Sequence, residues 1–148
     1  MKIARQPSKV LFSMFWALLL TFSQSVGYSQ SRPSLQQVNI EKKLIDGKKY
    51  ELLGNWEKAE TIFRSILSEE VNNTAAMYEL SRTLAAAGKL NDALSYIQKA
   101  IRLEPDNEWY LLMEADLHER LPDLYASMDV YEKLIKLRPD RSHYYEML

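Results

Sequence analysis

Hydrophobic positions in this chain form helical stripes, and the stripes repeat. Between Leu80 and Ala100 the apolar residues Leu80, Leu84, Leu90, Ala93, Ile97 and Ala100 recur mostly at intervals of three and four, broken once at Gly88. That spacing lines one side of a helix, then of a second helix after a tight turn. The same arrangement returns every 34 residues: Gly54, Gly88 and Pro122; Ala59, Ala93 and Ser127; Phe63, Ile97 and Tyr131. A fixed period of this length marks an array of helix-turn-helix units, none of which buries its apolar face alone, so that each stacks on the next. No strand-like alternation competes with this pattern.

Three units align without a gap, 40–73, 74–107 and 108–141. The breakers predict helices near 40–53, 57–70, 74–87, 90–103, 108–120 and 124–137. Asn73 or Thr74, and Asp106 or Asn107, are the expected N-caps, accepting from otherwise unpaired amides. Ala93 is the expected point of close approach within its unit. Pro122 stands where the other units have a turn glycine; it should end the preceding helix after Leu121 and give the turn a different chemistry. Residues 142–148 repeat the opening of a unit, with Tyr145 and Leu148 in the places of its bulky residue and its Leu. An isolated helix is marginal below about 12–15 residues, so this stub requires packing on the unit before it. It leads to two expectations, a shortened version of a longer array or self-association through this end.

These residues resemble the tetratricopeptide repeat family. In the middle unit Met77, Leu80, Ser81, Leu84, Ala93, Ile97 and Pro105 stand where the family pattern has Trp, Leu, Gly, Tyr, Ala, Phe and Pro. The first unit offers Gly47, Tyr50, Gly54, Trp56, Ala59 and Phe63, but has Asp46 and Val71 where Leu and Pro are usual. The third shows Glu114, Ala115, His118, Pro122, Ser127, Tyr131, Leu134 and Pro139. The resemblance implies an all-α solenoid, a right-handed superhelix, packed through Tyr50, Gly54, Ala59, Phe63, Leu80, Leu84, Gly88, Ala93, Ile97, Ala100, Pro105, Tyr131 and Pro139.

It also implies a function. First helices of successive units line a concave groove that binds a protein or peptide. By register this groove takes Glu41, Lys48 and Glu51 from the first unit, Tyr78, Glu79, Arg82 and Ala85 from the second, and Trp109, Leu112, Met113, Asp116 and Glu119 from the third. Tyr78 and Trp109 are the candidate anchors and Arg82 the charged selector, since aromatics and Arg dominate interface energetics. The family's carboxylate-clamp subgroup is not matched: Leu44, Glu79, Trp109 and Met113 occupy most of the places its donors need, and only Lys48 is cationic nearby.

The N-terminus changes the expected location. Lys2, Arg5 and Lys9 precede a largely apolar run from Val10 to Phe22, followed by small and polar residues. This is the layout of a secretory signal, of bacterial type, because the run is short of the ~20 residues that span a bilayer. Cleavage after Ser29, or alternatively after Gly27, would leave a periplasmic or extracellular protein, with residues 30–39 as a mobile polar linker. The alternative is a membrane anchor over residues 10–26. With no cysteine in its 148 residues, the chain carries no lipidation site, disulfide or thiolate metal site. The formal net charge is −1, and the part beyond the basic N-terminus is more acidic still, about −4, against the basic stripe that nucleic-acid binding requires.

Candidate chemistry is sparse. Glu114, Asp116, His118 and Glu119 form the one cluster with a histidine, which frames the alternative of a metal-dependent enzyme. A zinc site needs three or four convergent ligands, however, and His118 falls where the family has a packing aromatic. His143 sits among tyrosines without an acid-base partner, and no phosphate loop or nucleophile elbow is present. Asn72-Asn73-Thr74 is a formal glycosylation acceptor that coincides with an inter-unit turn. The expected function is therefore a non-enzymatic adaptor or scaffold without cofactor or metal. The alternative within binding is the N-terminal part of a larger membrane-associated envelope assembly or secretion component.

Overall fold

The computed structural model describes residues 33–148, and the expected signal, its cleavage position and the alternative anchor lie outside them. Six α-helices follow one another: α1 Leu35–Leu52, α2 Trp56–Glu69, α3 Thr74–Ala86, α4 Leu90–Leu103, α5 Glu108–Arg120 and α6 Leu124–Leu137. A 3-10 turn over Ser142–Met147 closes the chain. Among the described residues there is no strand, and no helix is long and apolar enough to cross a membrane.

Except at α4, the helix starts are set by side chains. Asn73 Oδ1 accepts from the Ala76 amide at 2.9 Å and Asn107 Oδ1 from the Trp109 amide at 3.2 Å, which selects these residues over their neighbours as caps. Each also donates its amide nitrogen to the glutamate three residues back, Glu70 or Glu104, tying the end of one unit to the start of the next. The first helix begins earlier than the apolar stripe suggests. Ser34 and Gln37 form a reciprocal capping box, each side chain bonding the other's backbone amide, so Leu35–Asn39 are helical and not part of a linker.

The turns within the units follow one scheme. Gly54 and Gly88 adopt φ of 68° and 79°, and their amides donate to Glu51 and Ala85. The third turn keeps that shape with Pro122, whose φ is forced to 26°. Asp123 N donates to the His118 carbonyl at 2.8 Å, as Asn55 N does to Tyr50 and Lys89 N to Leu84. The preceding helix ends at the expected place, with Leu121 as its C-cap, and the turn survives with the proline strained into it.

The core lies between the two helices of each unit and between consecutive units. Ala59, Phe63, Ile66, Leu80, Leu84, Ala93, Ile97 and Ala100 are fully enclosed. Burying a side chain such as Phe63 contributes about 1.5–3 kcal/mol. Ser81, sealed in the same layer, donates its hydroxyl to the Ala93 carbonyl at 2.9 Å, so the close approach of α3 and α4 carries a hydrogen bond as well as a small-residue contact. Pro105 and Pro139, expected among the packing residues, are exposed; they follow the helix ends Glu104 and Arg138 and act on the backbone only.

This apolar interior divides into two clusters. The larger joins α1 to α4 with Tyr110 and Leu117 of α5. The smaller comprises Leu111, Ala115, Val130, Tyr131, Leu134 and Tyr144. Tyr144 of the terminal turn is the residue that packs there, while Tyr145, assigned to that role by register, is half exposed. Tyr144 holds the register position of Ala76 and Tyr110, which are buried as well.

Candidate binding groove

Besides packing on their sequence neighbours, α1 contacts α3 and α3 contacts α5, which sets the three first helices side by side as one wall. Polar bonds cross each junction. The Thr83 hydroxyl on α3 donates to Glu51 Oε1 on α1 at 2.6 Å. Lys48 Nζ on α1 reaches Glu79 Oε1 on α3 at 2.8 Å, and Arg82 holds the other oxygen of Glu79 at 2.9 Å. Arg120 on α5 donates to the Ala85 carbonyl at the end of α3 at 2.7 Å. The cation thus adds a second donor to a helix C-terminal carbonyl that already accepts from the Gly88 amide.

Glu79, expected to face a ligand, is buried and serves as the shared anchor of Lys48 and Arg82. A buried carboxylate is tolerable only when it is paired, and two cations here compensate it. Glu51 is half buried, and burial raises its pKa against the lowering effects of the Thr83 hydrogen bond and of the Arg82 charge. Tyr78 lies between the Arg82 guanidinium, 5.8 Å from its ring centroid, and the Tyr110 ring at 5.4 Å. Met113 is half buried against the larger cluster. Trp109 stands out at 68% exposure, and Asp116, also exposed, pairs with Arg120 at 3.5 Å.

Where α1 and α3 end, a cleft of about 430 Å³ opens between Lys48, Glu51, Leu52, Trp56, Arg82 and Ala86. It brings two cations to one indole and one leucine. Lys48, Glu51 and Arg82 are among the expected groove positions; Leu52, Trp56 and Arg120 are not. Leu52, Ala86 and Arg120 share one register position 34 residues apart, directly after the expected groove positions Glu51, Ala85 and Glu119, and that periodicity was the available signal.

The acidic cluster around His118 is dispersed. Glu114 accepts from Gln98 at 3.1 Å, Glu119 from the Tyr131 hydroxyl at 3.0 Å, and Asp116 faces Arg120. His118 is buried, with Nδ1 3.8 Å from Asp123, beyond hydrogen-bond reach. Among the described residues no three His, Asp or Glu side chains converge as metal ligands would.

Residues 50–115 match the family model described as tetratricopeptide repeat. Among curated proteins, anaphase-promoting complex subunit 3 of Schizosaccharomyces pombe is 25% identical over 93 residues, which is 63% of this chain and only 14% of that protein's length. Among solved structures, MamA aligns with TM-score 0.67 at 20% identity, covering 74% of this chain and 64% of that one. PcrH, in complex with the chaperone binding region of PopB, aligns with TM-score 0.70 at 16% identity, covering 78% and 98%. The TPR2B domain of yeast Sti1, in complex with pHsp70, gives 0.65 at 14%, covering 74% and 86%. At these identities the structural likeness is one of fold. With the repeat period, the paired glycine turns and the family model in agreement, residues 50–115 of this chain carry tetratricopeptide repeats.

Proposed function

We propose that this protein is a non-enzymatic adaptor that binds a partner protein or peptide on the wall formed by α1, α3 and α5. One observation carries the reading: the wall's own polar groups are bonded across both helix junctions, which fixes its shape, while Trp109 remains largely exposed and Arg82 and Lys48 half exposed beside an apolar cleft. Preorganisation of this kind lowers the ordering cost of association. Similar folds in PcrH and Sti1 are solved with peptide-bearing partners, which supports a protein or peptide ligand as the class.

The cleft favours a segment carrying a carboxylate next to a large apolar side chain, the first for Arg82 and the second for Trp56. The N-terminal layout supports export, so the partner is sought in the periplasm or outside the cell. The test is a crosslinking pull-down with the full chain, comparing wild type with the Arg82→Glu, Trp109→Ala double variant. A partner lost in the variant at unchanged melting temperature supports the reading. Partners that all persist move binding off this wall.

A further inference from the structure

The outward side of α1 carries a second pattern, unrelated to the 34-residue period. Leu35, Val38, Lys42, Ile45, Lys49 and Leu52 follow one another at alternating intervals of three and four. This is the seam of a coiled coil, and the buried residues Ile40 and Gly47 mark the opposite side of the same helix. The seam is bare: Leu35 is 91%, Ile45 68% and Leu52 90% exposed, and Val38 about half.

We propose that this seam pairs with the same seam of a second copy, antiparallel, across a two-fold axis passing between Lys43 and Leu44. The sequence is self-complementary in that orientation. Leu35 lies level with Leu52 of the second copy, Val38 with its Lys49, and Lys42 with its Ile45, so each lysine stem packs against an aliphatic side chain and its head reaches outward. The flanking charges match as well. Glu41 lies within one turn of Lys48 of the second copy, and Lys42 is almost level with its Asp46. Each of these pairs occurs twice by symmetry.

A parallel pair fails on the same residues. It sets Lys42 against Lys42 and Lys49 against Lys49 in the seam, and Glu41 beside Asp46 at its flank, all repulsive. Lys48 has donors to spare, since its contact with Glu79 leaves it half exposed. An 18-residue helix is short for a free-standing coiled coil, but α1 is already held in helical form by α2 and α3, so its ordering is not charged to association.

The chain's lack of cysteine makes the test direct, because every thiol crosslink reports an introduced position. Two tagged full-length copies, one carrying Leu35→Cys and the other Leu52→Cys, are co-expressed and treated in situ with a short bis-maleimide. The expected result is a crosslink joining the two tags, with little dimer from either variant alone, since an antiparallel pair separates two copies of residue 35 by about 25 Å. Adding Ile45→Lys to both copies sets lysine against Lys42 and should cut the crosslink at least tenfold; as Ile45 is exposed within its own chain, the circular dichroism spectrum should hold. The proposal is overturned by the absence of a 35-to-52 crosslink, by equal crosslinking of residue 35 to itself, or by a crosslink that survives Ile45→Lys.

Discussion

Gly47 of α1 rests against the ring of Phe63 of α2 so closely that a methyl group on the glycine would stand 2.5 Å from Cε1 and 2.6 Å from Cζ. The ring is fully buried. Gly47, Ser81 and Ala115 hold one register position, and the smallest of them meets a whole phenyl ring.

Gly47→Ala is therefore expected to destabilise the fold by about 1–3 kcal/mol through overpacking, although alanine alone would add about 1 kcal/mol of helix preference. A thermal melt checks this, and Phe63→Leu in the same chain should recover part of the loss. Unchanged or raised stability in Gly47→Ala would sink the close-packing argument.

Pro122 should respond in the opposite sense. Its φ of 26° lies in a region that suits glycine, and it has no amide to make the bond that Gly54 and Gly88 donate at the equivalent place. Relief of such strain is worth about 1–3 kcal/mol, and the added freedom of glycine in the unfolded chain takes back about 0.4–1 kcal/mol. Pro122→Gly should raise the melting temperature by a few degrees; a decrease would mean that proline is at ease in this turn.

A pH dependence follows from Glu51. Burial raises its folded pKa above the ordinary carboxylate value of 4.5, so between the two values the folded state binds more protons than the unfolded one. Stability linked to this group is accordingly greatest below 4.5 and falls as pH rises through the raised value. Glu51→Gln keeps an acceptor for the Thr83 hydroxyl and should flatten this part of the profile, with equal or higher stability at pH 7. Denaturant titrations of the two proteins from pH 4 to 7 make the comparison, and parallel curves would contradict the assignment.

The terminal turn hangs on one side chain. Tyr144 is enclosed, stacks obliquely near Tyr131 with centroids 6.4 Å apart, and donates its hydroxyl to Glu108, which Arg138 also holds at 3.0 Å. Burial, with the Glu108 contact, pushes its pKa up to about 12, so the phenol remains a donor throughout the neutral range. Tyr144→Ala should cost about 3 kcal/mol of local stability and free residues 142–147 to proteolysis, whereas Tyr144→Phe should cost about 1 kcal/mol and leave the turn protected. Equal protease sensitivity of both variants and the wild type would show that the turn is held by something else.

Much of this architecture was legible in the residues because repetition multiplies weak signals. Gly54 and Gly88 gave two turns, and the apolar stripes gave six helices to within a few residues over most of their length. The start of α1 was missed since Leu35 and Val38 do not belong to the core stripe, yet the Ser34 and Gln37 pair was the visible cue. Glu79 was placed by register on the groove, whereas its burial depends on cations from two helices, Lys48 and Arg82, and such a shared partner is invisible to a one-dimensional pattern. Tyr144 shares the register of Ala76 and Tyr110, and a period followed only through the bulky residues Met77 and Leu111 passes over it.

The division of the interior into two clusters has a mechanical consequence. α5 sends Tyr110 and Leu117 into the larger cluster and Leu111 and Ala115 into the smaller one, so it sits astride the boundary. Opening α6 and the terminal turn sacrifices only the smaller cluster, and amide exchange over residues 124–147 is set to run ahead of that in α3 and α4. The array is thus stiffest where the Thr83–Glu51 and Lys48–Glu79 bonds lock α1 to α3, and its C-terminal end is the part that opens first.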